Sequence, residues 1–174
     1  MTRSVAFFRN LNLGQRRSHS PTRPELLEAF ARAGATDASN FQVNGTIVFE
    51  AGSKDAQTLG DQAVRELTPV CGYDDAVIVR PADWVLALEL DTGPRAEVSF
   101  FDGPEPFPEH LPWEPPGAGL TVIRADALHA VSLNDAERTS GATWALERRL
   151  GMPVTSRGVP TMQRLQVRLR SLAD

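Results

Sequence analysis

Cys71 is the only cysteine in the chain, so no internal disulfide can form and no multi-cysteine zinc site can be built. A lone cysteine after an apolar helical stretch reads as a small core side chain rather than a reactive thiol. Lysine is nearly missing as well. Lys54 stands alone among 18 basic residues, a compositional bias that is not in itself a sign of phosphate recognition. The longest apolar run, Trp84 to Leu88, is far below membrane-spanning length, so no membrane partner is expected. Between Arg3 and Arg9 the apolar stretch is too short for a signal-peptide core, which predicts a cytoplasmic protein. There is no phosphate loop ending in Gly-Lys-Ser/Thr, no Gly-x-Gly-x-x-Gly and no His-Glu-x-x-His. His19, His110 and His129 lie far apart, so a metal site or triad would have to be assembled by the fold. No metal and no cofactor is expected.

What is present describes an ordinary globular chain. Its 174 residues suit one typical domain or two small ones, with 41% apolar and 23% charged residues. The net charge of −4 conceals a split. Residues 1–24 carry +5, residues 148–174 carry +5, and the segment between carries −14. Both ends are basic, and the middle is acidic.

Ser4–Phe8 reads as a first strand, followed by a polar loop from Gly14 to Ser20. Thr22 and Glu25 form a capping-box pattern with Pro24 in the first turn. A stripe of Leu26, Leu27, Phe30 and Ala31 then predicts a helix stopped at Gly34. Phe41–Val43 and Thr46–Phe49 flank Asn44-Gly45, a hairpin signal in which both turn residues take positive φ. A second helix is expected from about Lys54 to Thr68, capped by Ser53, and a strand over Ala76–Val79. The order β-α-β-β-α-β within residues 1–80 is the ferredoxin-like arrangement, with antiparallel strands and helices on one face.

Residues 81–174 are expected to form a second α+β half. Pro81–Leu90 reads as a helix, Glu97–Phe101, Leu120–Ile123 and Leu128–Leu133 as strands, and Trp144–Leu150 as a helix ended by Gly151 and Pro153. A last helix begins near Pro160, with Met162, Leu165, Leu169 and Leu172 facing inward. Six prolines between residues 104 and 116 predict a surface connection held extended.

Two arginine sets stand out as chemistry-bearing. Arg9, Arg16 and Arg17 flank the loop that leaves the first strand, where Gly14 permits close backbone approach. Arg157 precedes the last helix among Thr155, Ser156 and Thr161, with Arg164 following; hydroxyls, free N–H groups and guanidinium together suit an anion. The plainer alternative for each set is local capping and a solvated helix face. Asp74-Asp75 would point its carboxylates to opposite sides of an extended chain, which fits a solvated strand entrance better than an acid/base pair. His129 alternates with Ala127, Val131 and Leu133, and so reads as a packed or edge histidine.

These segments resemble the bacterial domain-of-unknown-function family 1697. Its members open with a strand and an Arg-Gly-x-Asn-x-Gly-Gly loop, matched here by Arg9, Asn12 and Gly14. Its Ser-Gly-Asn-Val-Val-Phe-like hairpin is matched by Gly45 and the apolar pattern to Phe49. Its closing Thr-Thr-Arg-Asn-Trp-Asn-Thr segment is matched by Thr155, Arg157 and Thr161, with Leu165 after it, while Gly158-Val159-Pro160 replaces the Asn-Trp-Asn core. The resemblance implies two consecutive ferredoxin-like α+β halves and no particular activity.

Three functions follow in order of fit. The first is a binding module for an anionic ligand, a nucleotide or phosphometabolite, at Arg9, Asn12, Gly14, Arg16, Arg17, Thr155, Ser156, Arg157, Thr161 and Arg164. A nucleic-acid backbone fits less well, because an acidic protein must confine its attraction to one face. The second is an interaction module, pairing with another protein or with its own copy as a homodimer. The third is an enzyme of unknown reaction, ranked last because no nucleophile–base pair is visible.

Overall fold

The capping box written at Thr22 forms as the pattern predicts. In the computed structural model, which describes residues 3–90, 93, 95–135 and 141–173, Thr22 Oγ1 accepts from the Glu25 N–H and the Glu25 carboxylate accepts from the Thr22 N–H. Pro24 sits in the first turn of helix α1 (Arg23–Ala33), and Gly34 ends it in the left-handed region, at φ 100°. The chain divides into two units, Met1–Leu88 and Glu89–Asp174.

In the first unit, β1 (Arg3–Phe8) is central and pairs antiparallel with both β3 (Thr46–Glu50) and β4 (Val77–Pro81). β2 (Thr36–Gln42) lies outside β3, giving the order β2-β3-β1-β4. Period-two alternation sends Ala6, Phe8, Ile47, Phe49, Val77 and Val79 to one face, where they pack with α1 and α2 (Ala56–Cys71). Phe30 packs between Phe8, edge-on, and Phe49, tilted, with ring centroids 5.9 and 5.0 Å away. At Gly60 of α2 an added Cβ would lie 2.8 Å from Val79, so the helix comes that close to the sheet. A short helix, α3 (Ala82–Ala87), packs on β1 and β4.

Three local expectations change. The β2–β3 hairpin has three loop residues rather than two. Gln42 pairs with Thr46, and of the turn pair only Gly45 takes positive φ, at 69°. A left-handed glycine at the last loop position is what closes hairpins with three loop residues. Helix α2 starts later than expected and is capped by Asp55, which accepts from the Thr58 N–H at 2.7 Å; Ser53 lies outside it. The helix expected over Pro81–Leu90 is only six residues long.

The second unit repeats the sheet order as β6-β7-β5-β8, with β5 (Ala96–Phe100), β6 (Leu120–Ala125), β7 (His129–Asn134) and β8 (Thr155–Gly158). Helices α4 (Ala142–Leu150) and α5 (Val159–Ser171) precede and follow β8. No helix joins β5 to β6. The proline-rich segment runs there instead, and it is not merely a surface connection. Phe107 is only 9% exposed and packs with Phe101, Val122, Ala130, Ala142 and Leu146, and Trp113 packs against the same cluster. Proline bars helix formation here, so aromatic side chains on an extended segment cover this part of the core. The fold is therefore α+β, two four-stranded antiparallel sheets with five α-helices among the described residues. None of those helices is long and apolar enough to cross a membrane.

Candidate functional site

The loop after β1 is tied down on both sides. The Leu13 N–H donates to the Val43 carbonyl at 2.8 Å, and the Gly14 N–H to the Pro21 carbonyl at 2.9 Å. Buried Ser20 accepts from the Asn12 N–H through its hydroxyl, at 3.1 Å. A single 3₁₀ turn over Arg16–Ser18 and a left-handed His19 complete the reversal.

Within this frame the three arginines have different partners. Arg9 Nη1 donates to Asp75 Oδ2 at 2.7 Å, and the same carboxylate oxygen accepts from Asn10 Nδ2 at 2.9 Å. Asp75 therefore does more than solvate a strand entrance: it fastens the loop to the start of β4. Arg16 pairs with Glu25, the capping-box residue of α1. The Thr22 N–H and then Arg16 hold the Glu25 carboxyl below the usual carboxylate range. Arg17 is exposed and has no partner among the described residues. The side chains of Asn12 and Gln15 are exposed and unpartnered in the same sense. Gly14 has φ 81°, and nothing lies within 4 Å of the point where a Cβ would sit, so its backbone is open to approach.

The second arginine set forms a strand, not a loop. Thr155, Ser156 and Arg157 belong to β8, where Arg157 lies opposite Val98. Arg157 is 6% exposed, and its Nη1 donates to Thr155 Oγ1 at 2.8 Å and to the Ser156 carbonyl at 2.9 Å. The Ser156 hydroxyl lies 2.7 Å from that of Ser99 and 2.8 Å from that of Thr143, linking β8 to β5 and α4. Thr161 and Arg164 lie on the first turns of α5, with Arg164 Nη2 donating to Thr161 Oγ1 at 3.2 Å. The hydroxyls that the sequence offers to an anion are thus engaged locally.

The remaining titratable clusters are structural. Asp126 closes the β6–β7 turn by accepting from the Leu128 and His129 N–H groups at 2.7 and 2.8 Å, and its Oδ1 lies 2.9 Å from His129 Nδ1. Burial alone would raise the Asp126 carboxyl, but these N–H groups and the His129 ring outweigh it and hold the group low. No three His, Cys, Asp or Glu side chains among the described residues come together as a metal-holding set.

A family model described as a protein of unknown function, DUF1697, matches residues 1–96, more than half of the chain. The protein belongs to the DUF1697 family. The DUF1697 match spans β1 to the first residue of β5, so it contains Arg9, Asn12 and Gly14, whereas Thr155–Arg164 lies beyond it. Among curated proteins none matches the chain. A solved structure of a conserved bacterial protein from Streptococcus pneumoniae is similar with a TM-score of 0.62 at 15% identity, covering 98% of this chain and 99% of that one. At that identity the likeness speaks for the fold of this DUF1697 protein and for nothing finer.

Sequence reasoning missed Asp75 as the anchor of Arg9, and Gln15 as an exposed donor beside Arg17. The first could have been suspected from Asp75 standing directly before the strand that pairs with β1. For the second no sequence signal exists, because glutamine in a polar loop is commonplace.

Proposed function

We propose that this protein is a binding module for an anionic ligand such as a nucleotide or phosphometabolite, held at the Asn12–Arg17 loop of the first unit. The observation that supports the reading is the unequal engagement of three neighbouring arginines. Carboxylates take up Arg9 and Arg16 and brace the loop, while Arg17 is left exposed without a partner among the described residues. Asn12 and Gln15 add unpartnered amide donors, and the open backbone at Gly14 lets a ligand come close. A braced loop offering one cation and several neutral donors suits a phosphate or carboxylate, since little is left to order on binding.

Thermal-shift measurements with inorganic phosphate, AMP and glucose 6-phosphate test this. A ligand at a hundred times its dissociation constant should stabilise the fold by roughly 2.7 kcal/mol. Arg17→Ala, an exposed change that leaves the fold intact, should abolish that gain, and an undiminished gain would refute the assignment. Should the ligand be a nucleic-acid backbone, affinity for a DNA oligomer will fall steeply with salt.

A further inference from the structure

The second unit holds a pocket that the arginine segments do not account for. Trp113, Pro115, Pro116, Trp144, Arg148 and Arg149 line a space of about 290 Å³ at the surface of α4. One wall is firmly held. The Trp113 backbone exchanges two hydrogen bonds with Val122, at 2.9 and 2.7 Å, and its ring packs on Phe107 with centroids 6.0 Å apart. The other wall presents Trp144, which at 44% exposure is a large indole left in water with no hydrogen bond among the described residues.

The two arginines differ here too. Arg149 is engaged by the Glu109 carboxylate and donates to the Pro108 carbonyl at 2.9 Å. Arg148 is exposed and has no partner among the described residues. It stands four residues after Trp144 on one helix, so the two side chains share a face with Cβ atoms about 5–6 Å apart.

We propose that this pocket binds a planar aromatic anion: a one- or two-ring π system against the indoles, with a carboxylate or phosphate on Arg148. Indole and proline faces favour flat apolar groups, and the unpaired guanidinium selects those carrying negative charge. An aromatic cation is disfavoured by the two guanidinium groups. A proline-rich peptide would use the indoles but would have no need of Arg148. All the residues that line it belong to the second unit, whereas the loop around Arg17 belongs to the first.

The test follows the three indole N–H resonances of the full-length protein by NMR, each assigned with a Trp→Phe variant. Indole-3-acetate and AMP serve as ring-bearing anions, indole and adenosine as their uncharged counterparts, and acetate and inorganic phosphate as anions without rings. A decaproline peptide tests the competing occupant. Expected is a saturable shift of Trp113 and Trp144, but not Trp84, with one of the ring-bearing anions. It should bind about tenfold or more tightly than its uncharged counterpart, as one charge-assisted contact supplies. Which of the two anions saturates distinguishes a carboxylate from a nucleotide. Arg148→Gln should erase the preference for the anion, and Arg17→Ala should leave the titration unchanged. The proposal is overturned by equal affinity for the uncharged ring, by an anion preference that survives Arg148→Gln, by shifts at all three indoles, by no saturable shift with either anion, or by tighter saturation with decaproline.

Discussion

Arg9 Nη1 and Asp75 Oδ2 lie 2.7 Å apart across 66 residues of sequence, each side chain about a quarter exposed at 25% and 28%. Asp75 also accepts from Asn10 Nδ2 and, through Oδ1, from the Ala76 N–H at 2.7 Å. Beside them the Tyr73 hydroxyl donates to the Arg9 carbonyl at 2.6 Å. One carboxylate thus binds the end of β1, the start of the loop and the entry to β4.

Asp75→Ala should therefore cost more than an ordinary surface ion pair. Loss of several bonds to one carboxylate predicts about 1.5–3 kcal/mol in urea unfolding, against less than about 1 kcal/mol for an isolated exposed pair. A cost below that lower figure would show that the loop holds itself.

The start of α2 offers a direct contrast. Asp55→Ala should destabilise the fold by removing the N-cap of α2, and Ser53→Ala should be nearly neutral. Equal effects in chemical denaturation would mean that the helix begins elsewhere.

Acid should weaken the fold in a defined way. Glu25 is held below the usual carboxylate range by the Thr22 N–H and Arg16, and Asp55 by the Thr58 N–H. A carboxylate whose pKa is depressed on folding stabilises above its unfolded value and loses that contribution as pH falls through the folded one. The melting temperature should hold from neutrality to about pH 5 and then drop below about pH 4. Glu25→Gln should show a lower plateau and a shallower acid limb, and limbs of equal slope would count against the assignment.

Phe107→Ala tests whether the proline-rich segment belongs to the core. Removing an aromatic ring buried among Phe101, Val122 and Leu146 should cost about 3 kcal/mol or more. Substitution of exposed Glu105 by Ala in the same segment should change stability by less than about 0.5 kcal/mol. Similar small effects at both positions would return the segment to the surface.

The parts of the fold that were legible carry their instructions locally. Thr22, Pro24, Glu25 and Gly34 delimit α1 because caps and left-handed stops act within one turn of chain. Short runs of β-branched and aromatic residues made β1 and β3 visible, and the strand–helix order made the first half recognisable. The four residues of β8 were not visible. Thr155–Gly158 has no apolar alternation, and it is a strand only because β5 supplies its hydrogen-bond partners. The helix that carries Trp144 and Arg148 was legible, but their pocket needed Trp113 brought across from the proline-rich segment.

Charge shows the same division. The sequence alone determined that both ends are basic, that an internal disulfide is excluded, and that two α+β halves follow one another. Only the tertiary structure decided which arginines are engaged, because the carboxylate a guanidinium meets, nine residues away for Arg16 and 66 for Arg9, is set by how the loop and strands pack and by no sequence pattern. It pairs Arg9 with Asp75 and Arg16 with Glu25, buries Arg157 within a strand, and leaves Arg17 and Arg148 exposed without partners among the described residues.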